Sequence, residues 1–242
     1  MMSVGNILRT VSYGVVFLVA LIVFAIPGVI VALLPESLRF KCTFIYKIEH
    51  FVFWLFIKSW WVPVSYEGMA NIPKHTRCVF IGNHRSSIDA PLLGMVARGE
   101  PHVFLFINWL AQYPIFGFVI RRLEVMVDPS APRKAVSAIE QAVDRATKLH
   151  GHVLLFPEGG RYTDDGVRDF FTGFAIIAQQ TGYPVVPVMI RNSDKVMPPK
   201  SLWVHWAPIT VTIGEPFTYN QGEDKGAFTA RVRTWFLEQQ EL

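Results

Sequence analysis

Residues 82 to 91 read Gly-Asn-His-Arg-Ser-Ser-Ile-Asp-Ala-Pro, a polar cluster in an otherwise greasy chain. An imidazole at His84 and a carboxylate at Asp89 are the pair a general base needs. The carboxylate holds one ring nitrogen while the other takes a proton from an attacking hydroxyl, a role worth roughly 10²–10⁴ in rate. A plainer use also fits. Ser86, Ser87 and Asp89 are N-cap types and Pro91 suits a first helical turn, so the stretch could simply open a helix over APLLGMVAR. Positions five apart in a helix do not share a face, so His84 and Asp89 meet only if the residues between them form a turn. No Gly-x-Ser-x-Gly elbow occurs, and Ser86 and Ser87 lie too close to His84 in the chain to be convincing nucleophiles. A His–Asp pair of this kind suits direct attack by a substrate's own hydroxyl.

A second polar cluster closes the apolar run VLLF at 153 to 156: Pro157, Glu158, Gly159, Gly160 and Arg161. Glycine-rich turns can aim backbone N–H groups at phosphate, and arginine binds it in bidentate fashion. A strand-to-loop turn with a solvated ion pair would look the same. No G-x-x-x-x-G-K-[ST] is present, which removes nucleotide-loop chemistry.

Short apolar runs interleaved with helical patterns position these clusters. Strands are predicted within 62–68, 77–83, 102–107, 124–128, 152–158, 184–190 and 209–216. A helix is predicted over 131–150, with Val136, Ile139, Val143 and Ala146 on one stripe, Pro132 in its first turn and Gly151 beyond its end. Further helices are expected over 170–180 and 225–240. The reading is α/β, a mixed, mostly parallel sheet flanked by helices.

The chain has 242 residues, 51% of them hydrophobic and 17% charged, against roughly 25% charged in ordinary soluble domains. The greasiest part is the N-terminal one. No charge occurs from Val11 to Leu34, 24 residues, long enough as a helix to cover a hydrocarbon core of about 30 Å. Pro27-Gly28 interrupts the run, which predicts a bent span or a re-entrant turn. The aromatic stretch FVFWLFIKSWWV at 51 to 62 reads as interfacial. Arg39, Lys41 and Lys47 lie between the two stretches and only Arg9 precedes the first, a bias that puts the later residues on the cytoplasmic side. The expected division is therefore 1–62 as membrane-anchoring helices and 63–242 as a cytoplasm-facing domain, at the inner membrane.

A formal net charge of +4 without a basic block favours membrane lipid over nucleic acid as the acidic partner. Cys42 and Cys78 fit no metal-ligand spacing and are expected as buried small hydrophobes. His102, His150, His152 and His205 show no ligand spacing either and are expected on surface or loops, and no metal site is expected. Trp203 and Trp206 are expected to pack on the sheet or meet the membrane interface.

Together the motifs resemble the glycerolipid acyltransferase family of 1-acyl-sn-glycerol-3-phosphate acyltransferases. Its N-H-x-x-x-x-D is matched by Asn83, His84 and Asp89, and its F-P-E-G-x-R by Phe156, Pro157, Glu158, Gly159 and Arg161. A P-x-F-G block is matched by Pro114, Phe116 and Gly117, and a V-x-P-V block by Val185 to Val188. The resemblance implies His84 as base and Asp89 as its orienter. It also implies a substrate-binding set of Asn83, Gly117, Arg121, Arg122, Glu158, Gly159, Gly160 and Arg161. The implied partners are a lysophospholipid acceptor and an acyl-CoA or acyl carrier protein donor, with no cofactor. Three positions depart from the pattern: Asn108 and Thr172 stand where lysines are usual, and Asp128-Pro129 where Asp-Arg is. Each departure removes a phosphate partner, which Arg121, Arg122, Arg133 or Lys134 could replace. A different lysolipid, such as a lyso-aminolipid, or non-catalytic lipid binding, stays open as an alternative.

Overall fold

The computed structural model describes residues 3–39, 41–107, 114–127, 132–162 and 166–241. Asn108, Asp128, Pro129 and residues 163–165 lie outside the described residues, as do the side chains of Pro114, Phe116 and Arg133.

Seven strands form one sheet: β1 (Val64–Glu67), β2 (Val79–Gly82), β3 (His102–Ile107), β4 (Val125–Val127), β5 (His152–Leu155), β6 (Val185–Arg191) and β7 (Ile209–Ile213). Their order is β1-β7-β6-β2-β5-β3-β4. The β6–β7 pair is antiparallel, and all other neighbours run parallel. The central strands are buried on both faces, which is why they read as unbroken apolar runs rather than alternating ones. Successive side chains go to opposite faces. Val79, Ile81, Val153 and Leu155 join one core, while Phe80, Leu154, Val186 and Val188 join the other.

Helices α1 (Val4–Leu33), α2 (Glu36–Arg39) and α3 (Phe44–Ser59) precede the sheet. Helices α4 (Asp89–Gly94), α5 (Pro114–Leu123), α6 (Pro132–Leu149), α7 (Gly173–Thr181), α8 (Ser193–Val196) and α9 (Lys225–Gln240) lie between or after its strands. In α6 the buried stripe is Ala138, Ala142 and Ala146, with Val136 exposed. Leu149 is buried with the alanines, and Ile139 and Val143 pack against the same core at the flanks.

Pro27 sits inside α1 without ending it. Gly28 beside it faces α5, where an added Cβ would lie 3.0 Å from Val119 Cγ1. Tyr13 and Phe17 of α1 pack on Phe56 of α3, with ring centroids 6.0 and 5.8 Å away. The opposite face of α1 exposes Val11, Val15, Leu18, Ile22, Ile26 and Leu33. Among the described residues, α1 is the one helix long and apolar enough to cross a membrane. The aromatic stretch does not lie wholly at an interface, since Val52, Ile57 and Trp60 are buried in the protein while Phe51, Trp54 and Trp61 are exposed.

Two histidines expected on the surface are buried. His102 and His152 open the adjacent strands β3 and β5 and face each other in register. His152 Nδ1 accepts from the Cys78 amide at 3.0 Å, and burial lowers its basicity to about 4, so the ring is neutral. Both cysteines are free thiols; Cys78 is buried and its thiol pushed up to about 12, whereas Cys42 is only half-buried.

Candidate active site

β2 and β5 are parallel neighbours, so the loops that follow them leave the same edge of the sheet. That alone brings together the two polar clusters, 74 residues apart. His84 follows β2 by two residues and Glu158 follows β5 by three.

The residues between His84 and Asp89 form a turn that enters α4. His84 Nδ1 lies 3.0 Å from Asp89 Oδ2. The same oxygen accepts the amides of Arg85 and Ser86, each at 2.7 Å. Asp89 is therefore not the N-cap that helix-entry reasoning suggests, because it is the first helical residue and its carboxylate turns back onto the preceding loop. Ser86 takes the local turn role, its Oγ accepting weakly from the Ile88 amide at 3.4 Å and donating to the Met197 carbonyl at 2.6 Å. An ionised carboxylate only accepts, so Nδ1 carries the proton and Nε2 keeps its lone pair. Asp89 is fully buried, while 14% of the His84 side chain is exposed. The imidazole stacks on Phe156, with centroids 4.0 Å apart and planes 13° from parallel.

Glu158 joins the two clusters. Its Oε1 accepts the His84 amide at 2.9 Å and its Oε2 the Arg168 amide at 3.4 Å. Burial raises its carboxyl above the ordinary range, and the two amides and the His84 ring work against that rise. The His84 carbonyl in turn accepts the Tyr162 amide at 3.2 Å. Gly159 takes φ +66°, and a Cβ there would sit 2.5 Å from Phe171 Cε2, so this position needs glycine for both backbone and space. Gly160 follows in the same turn. Arg161 is exposed and donates to Ser87 Oγ at 3.1 Å, which places its guanidinium beside the loop that carries the dyad.

Asn83 is buried and uses its amide on the neighbouring strand, donating to the Ile190 carbonyl at 2.9 Å and accepting from its amide at 2.7 Å. It pins β2 to β6 directly beneath His84. Gly117 lies near the N-terminal end of α5, toward the edge that carries His84. Arg121 and Arg122 sit at the other end of that helix. In a β3–α5–β4 crossover between parallel strands the helix runs back against the strands, so its C-terminal end stands away from the dyad edge. The structure does not bring Arg121 and Arg122 to His84; Arg122 instead stacks over Phe118.

Sequence reasoning missed the apolar floor of the site. A cavity of about 330 Å³ opens next to Phe156 and is lined by Leu105, Phe106, Ile139, Leu155, Phe171 and Ile176 among others. These residues come from β3, α6, β5, α7 and the segment just before α7, so no local pattern announces them. Thr172 and Gly173 also line it. Arg168 was missed as well; its guanidinium lies 5.0 Å from the Tyr162 ring centroid.

Away from this edge, Glu49 of α3, His102 of β3 and Glu124, which precedes β4, bring one ligand atom each within 4.8 Å of one another. His102 Nε2 is 3.1 Å from Glu49 Oε2, and Glu124 accepts the Phe104 amide. Burial opposes the charged imidazole, but Glu49 and then Glu124 raise it to about 9. The Glu124 carboxyl is pushed up by burial and by Glu49.

Fold and site together define an α/β protein with a hydrogen-bonded His84–Asp89 pair at the carboxyl edge of its central strands. The family model described as Acyltransferase matches residues 63–191, just over half of the chain, and the chain belongs to that family. It is 26% identical over 245 residues to a 1-acyl-sn-glycerol-3-phosphate acyltransferase of Pseudomonas aeruginosa, covering 98% of this chain and 92% of that one. A Cocos nucifera protein of the same description is 30% identical over 166 residues, 67% of this chain and 52% of its own. The chain spans about half the length of the plant relatives it matches. Its fold is similar to the crystal structure of the 1-acyl-sn-glycerophosphate acyltransferase PlsC from Thermotoga maritima. The TM-score is 0.76 at 24% identity, over 98% of this chain and 95% of the other.

Proposed function

We propose that this protein transfers a fatty acyl group from a thioester donor to the free hydroxyl of a lysophospholipid, with 1-acyl-glycerol-3-phosphate the favoured acceptor and phosphatidic acid the product. The contact that carries the reading is the 3.0 Å approach of His84 Nδ1 to Asp89 Oδ2, which leaves Nε2 of this partly exposed ring as the proton acceptor. The hydroxyl gives its proton to Nε2 as its oxygen attacks the thioester carbonyl. The tetrahedral adduct then collapses, the C–S bond breaks, and the imidazolium returns the proton to the leaving thiolate. Acyl-CoA and acyl carrier protein both supply such a thioester. Arg161 stands where it can meet the acceptor's phosphate, and the apolar cavity beside Phe156 suits an acyl chain.

The reaction belongs at a membrane, because acceptor and product both reside in lipid. In this reading residues 1–62 anchor the chain and residues 63–242 face the cytoplasm, as the Arg39, Lys41 and Lys47 bias indicates. A second acceptor class, a lysolipid without a terminal phosphomonoester, is favoured by Thr172, which lines the cavity where a lysine is usual.

The test is thiol release by purified protein given acyl-CoA and a panel of lysolipids. Lysophosphatidate is expected to be the best acceptor, and His84→Ala to reduce turnover by roughly 10²–10⁴. Turnover that survives His84→Ala overturns the mechanism, and a best acceptor lacking the phosphomonoester overturns the substrate.

A further inference from the structure

The segment between α8 and β7 exposes large apolar side chains to an extent that ordinary loops do not. Leu202 is 80% exposed, Trp203 45% and Trp206 57%, while Val204 between them is fully buried. The loop is built rather than loose. His205 N donates to the Val196 carbonyl at 2.8 Å, and Trp203 N to Ser201 Oγ at 3.1 Å. It is also fastened to the first turns of α1, with Val204 N donating to Thr10 Oγ1 at 3.0 Å and Asn6 Nδ2 meeting His205 Nδ1 at 3.0 Å. Those same turns expose Val4, Ile7, Leu8 and Val11. Trp61, just past the C-terminal end of α3, is 58% exposed, and the Tyr13–Phe56 contact puts that end of α3 beside the start of α1.

We propose that residues 201–206 form a lipid-inserting loop, a membrane contact separate from the N-terminal helices that seats the catalytic edge on the bilayer surface. The inference rests on the reading of α1 as membrane-associated and extends it to a part of the chain nearly 200 residues later. Three observations choose lipid as the occupant. The exposed aromatics are tryptophans, whose amphipathic rings favour the headgroup level. They are continuous with the exposed apolar face of α1. Exposed Lys195 and Lys200 precede them in the chain and exposed Lys58 lies one turn before Trp61, which matches an anionic surface. The loop is also coupled to the site, since Ser86 Oγ donates to the Met197 carbonyl and Arg85 pairs with Asp194 at 3.2 Å. A lipid-seated loop therefore holds the dyad close to the plane from which a lysolipid is drawn.

The test places a fluorophore at Trp206→Cys in a Cys42→Ser background and adds vesicles of neutral and anionic phospholipid carrying quenchers at known acyl depths, with Trp61→Cys as reference. Quenching from shallow depths at both positions is expected. Quenching at position 61 alone overturns the loop, and quenching at neither overturns both the loop and the membrane reading. Shielding at position 206 that disappears on dilution without lipid assigns the surface to a second copy of the chain and overturns the proposal. These readouts need no turnover, so they stand apart from the proposed reaction. Where turnover is measured, Leu202→Ser/Trp203→Ser/Trp206→Ser should lower the rate on vesicle-borne lysolipid by roughly tenfold or more. The rate on a monomeric short-chain lysolipid should stay unchanged; an equal loss on both substrates overturns the seating role.

Discussion

Asp89 Oδ2 takes three N–H groups at once, from His84 Nδ1 and the Arg85 and Ser86 amides. One carboxylate oxygen thus shapes the turn and selects the imidazole tautomer. Asp89→Asn can keep its oxygen on the two amides, but in the proposed mechanism it loses the charge that would hold Nδ1–H and steady the imidazolium. Thiol release should fall by about 10²–10⁴, with a smaller loss of stability of about 1–3 kcal/mol by denaturant unfolding. Activity within about twofold of the parent would show that the contact does not orient the base. Gly159→Ala addresses the facing turn, where a Cβ meets both a positive φ and the Phe171 ring. About 1–3 kcal/mol of destabilisation is expected. Gly159→Ala/Phe171→Ala should relieve the clash but retain the backbone cost of about 1 kcal/mol. His84 and Asp89 were legible because five residues of spacing, a turn and a second motif agree. The roles of Asn83 and Glu158 were not, because the groups they bond are backbone amides and a carbonyl that only the strand order brings near.

At the scale of elements, the seven predicted stretches all became strands, the central ones as continuous apolar runs and β1 and β7 as alternating ones, since a short apolar run bounded by turns has few other ways to be buried. What the runs could not convey is pairing. β7 alternates apolar residues with threonine, Ile209-Thr210-Val211-Thr212-Ile213, but that alternation does not say which neighbour it pairs with or that it runs antiparallel to β6. The burial of His102 was hidden for the same reason, because its partners come from α3 and from the residue before β4. This cluster makes the α3–sheet contact pH-dependent. His102 sits at about 9 in the fold against an ordinary 6.5, and Glu124 is also raised. Both groups hold protons more tightly folded than unfolded, so Glu124 lowers stability as pH rises from about 4.5 to 8 and His102 as it rises from about 6.5 to 9, and between about 6.5 and 9 stability falls. His152, lowered to about 4, titrates below that window. Urea midpoints should decline across this range. Glu124→Gln keeps an acceptor for the Phe104 amide while removing one of the two titrations, so its decline should be shallower. An unchanged slope would mean that Glu124 is ionised in the fold already.

On the scale of the whole molecule, the N-terminal helices are part of the body they precede. The family match begins at residue 63, yet both cores cross that point. Val31, Ile45 and Tyr46 join the core on one side of the sheet, and Ile57 and Trp60 the core on the other. Phe53 fills the space over Gly94, where an added Cβ would come within 2.3 Å of its ring. Burial of a large apolar side chain is worth about 1.5–3 kcal/mol. The side chains just named therefore approach the whole margin of a domain, about 5–15 kcal/mol. Removing residues 1–62 would also leave His102 facing Glu124 without the Glu49 charge. A fragment of residues 63–242 should accordingly lack a cooperative thermal transition and expose apolar surface, read by dye binding and light scattering. Adding lipid or mild detergent should not restore the transition, because what is missing is protein packing. A soluble, cooperatively unfolding fragment would instead make the first 62 residues a detachable anchor and return the site's stability to the sheet alone.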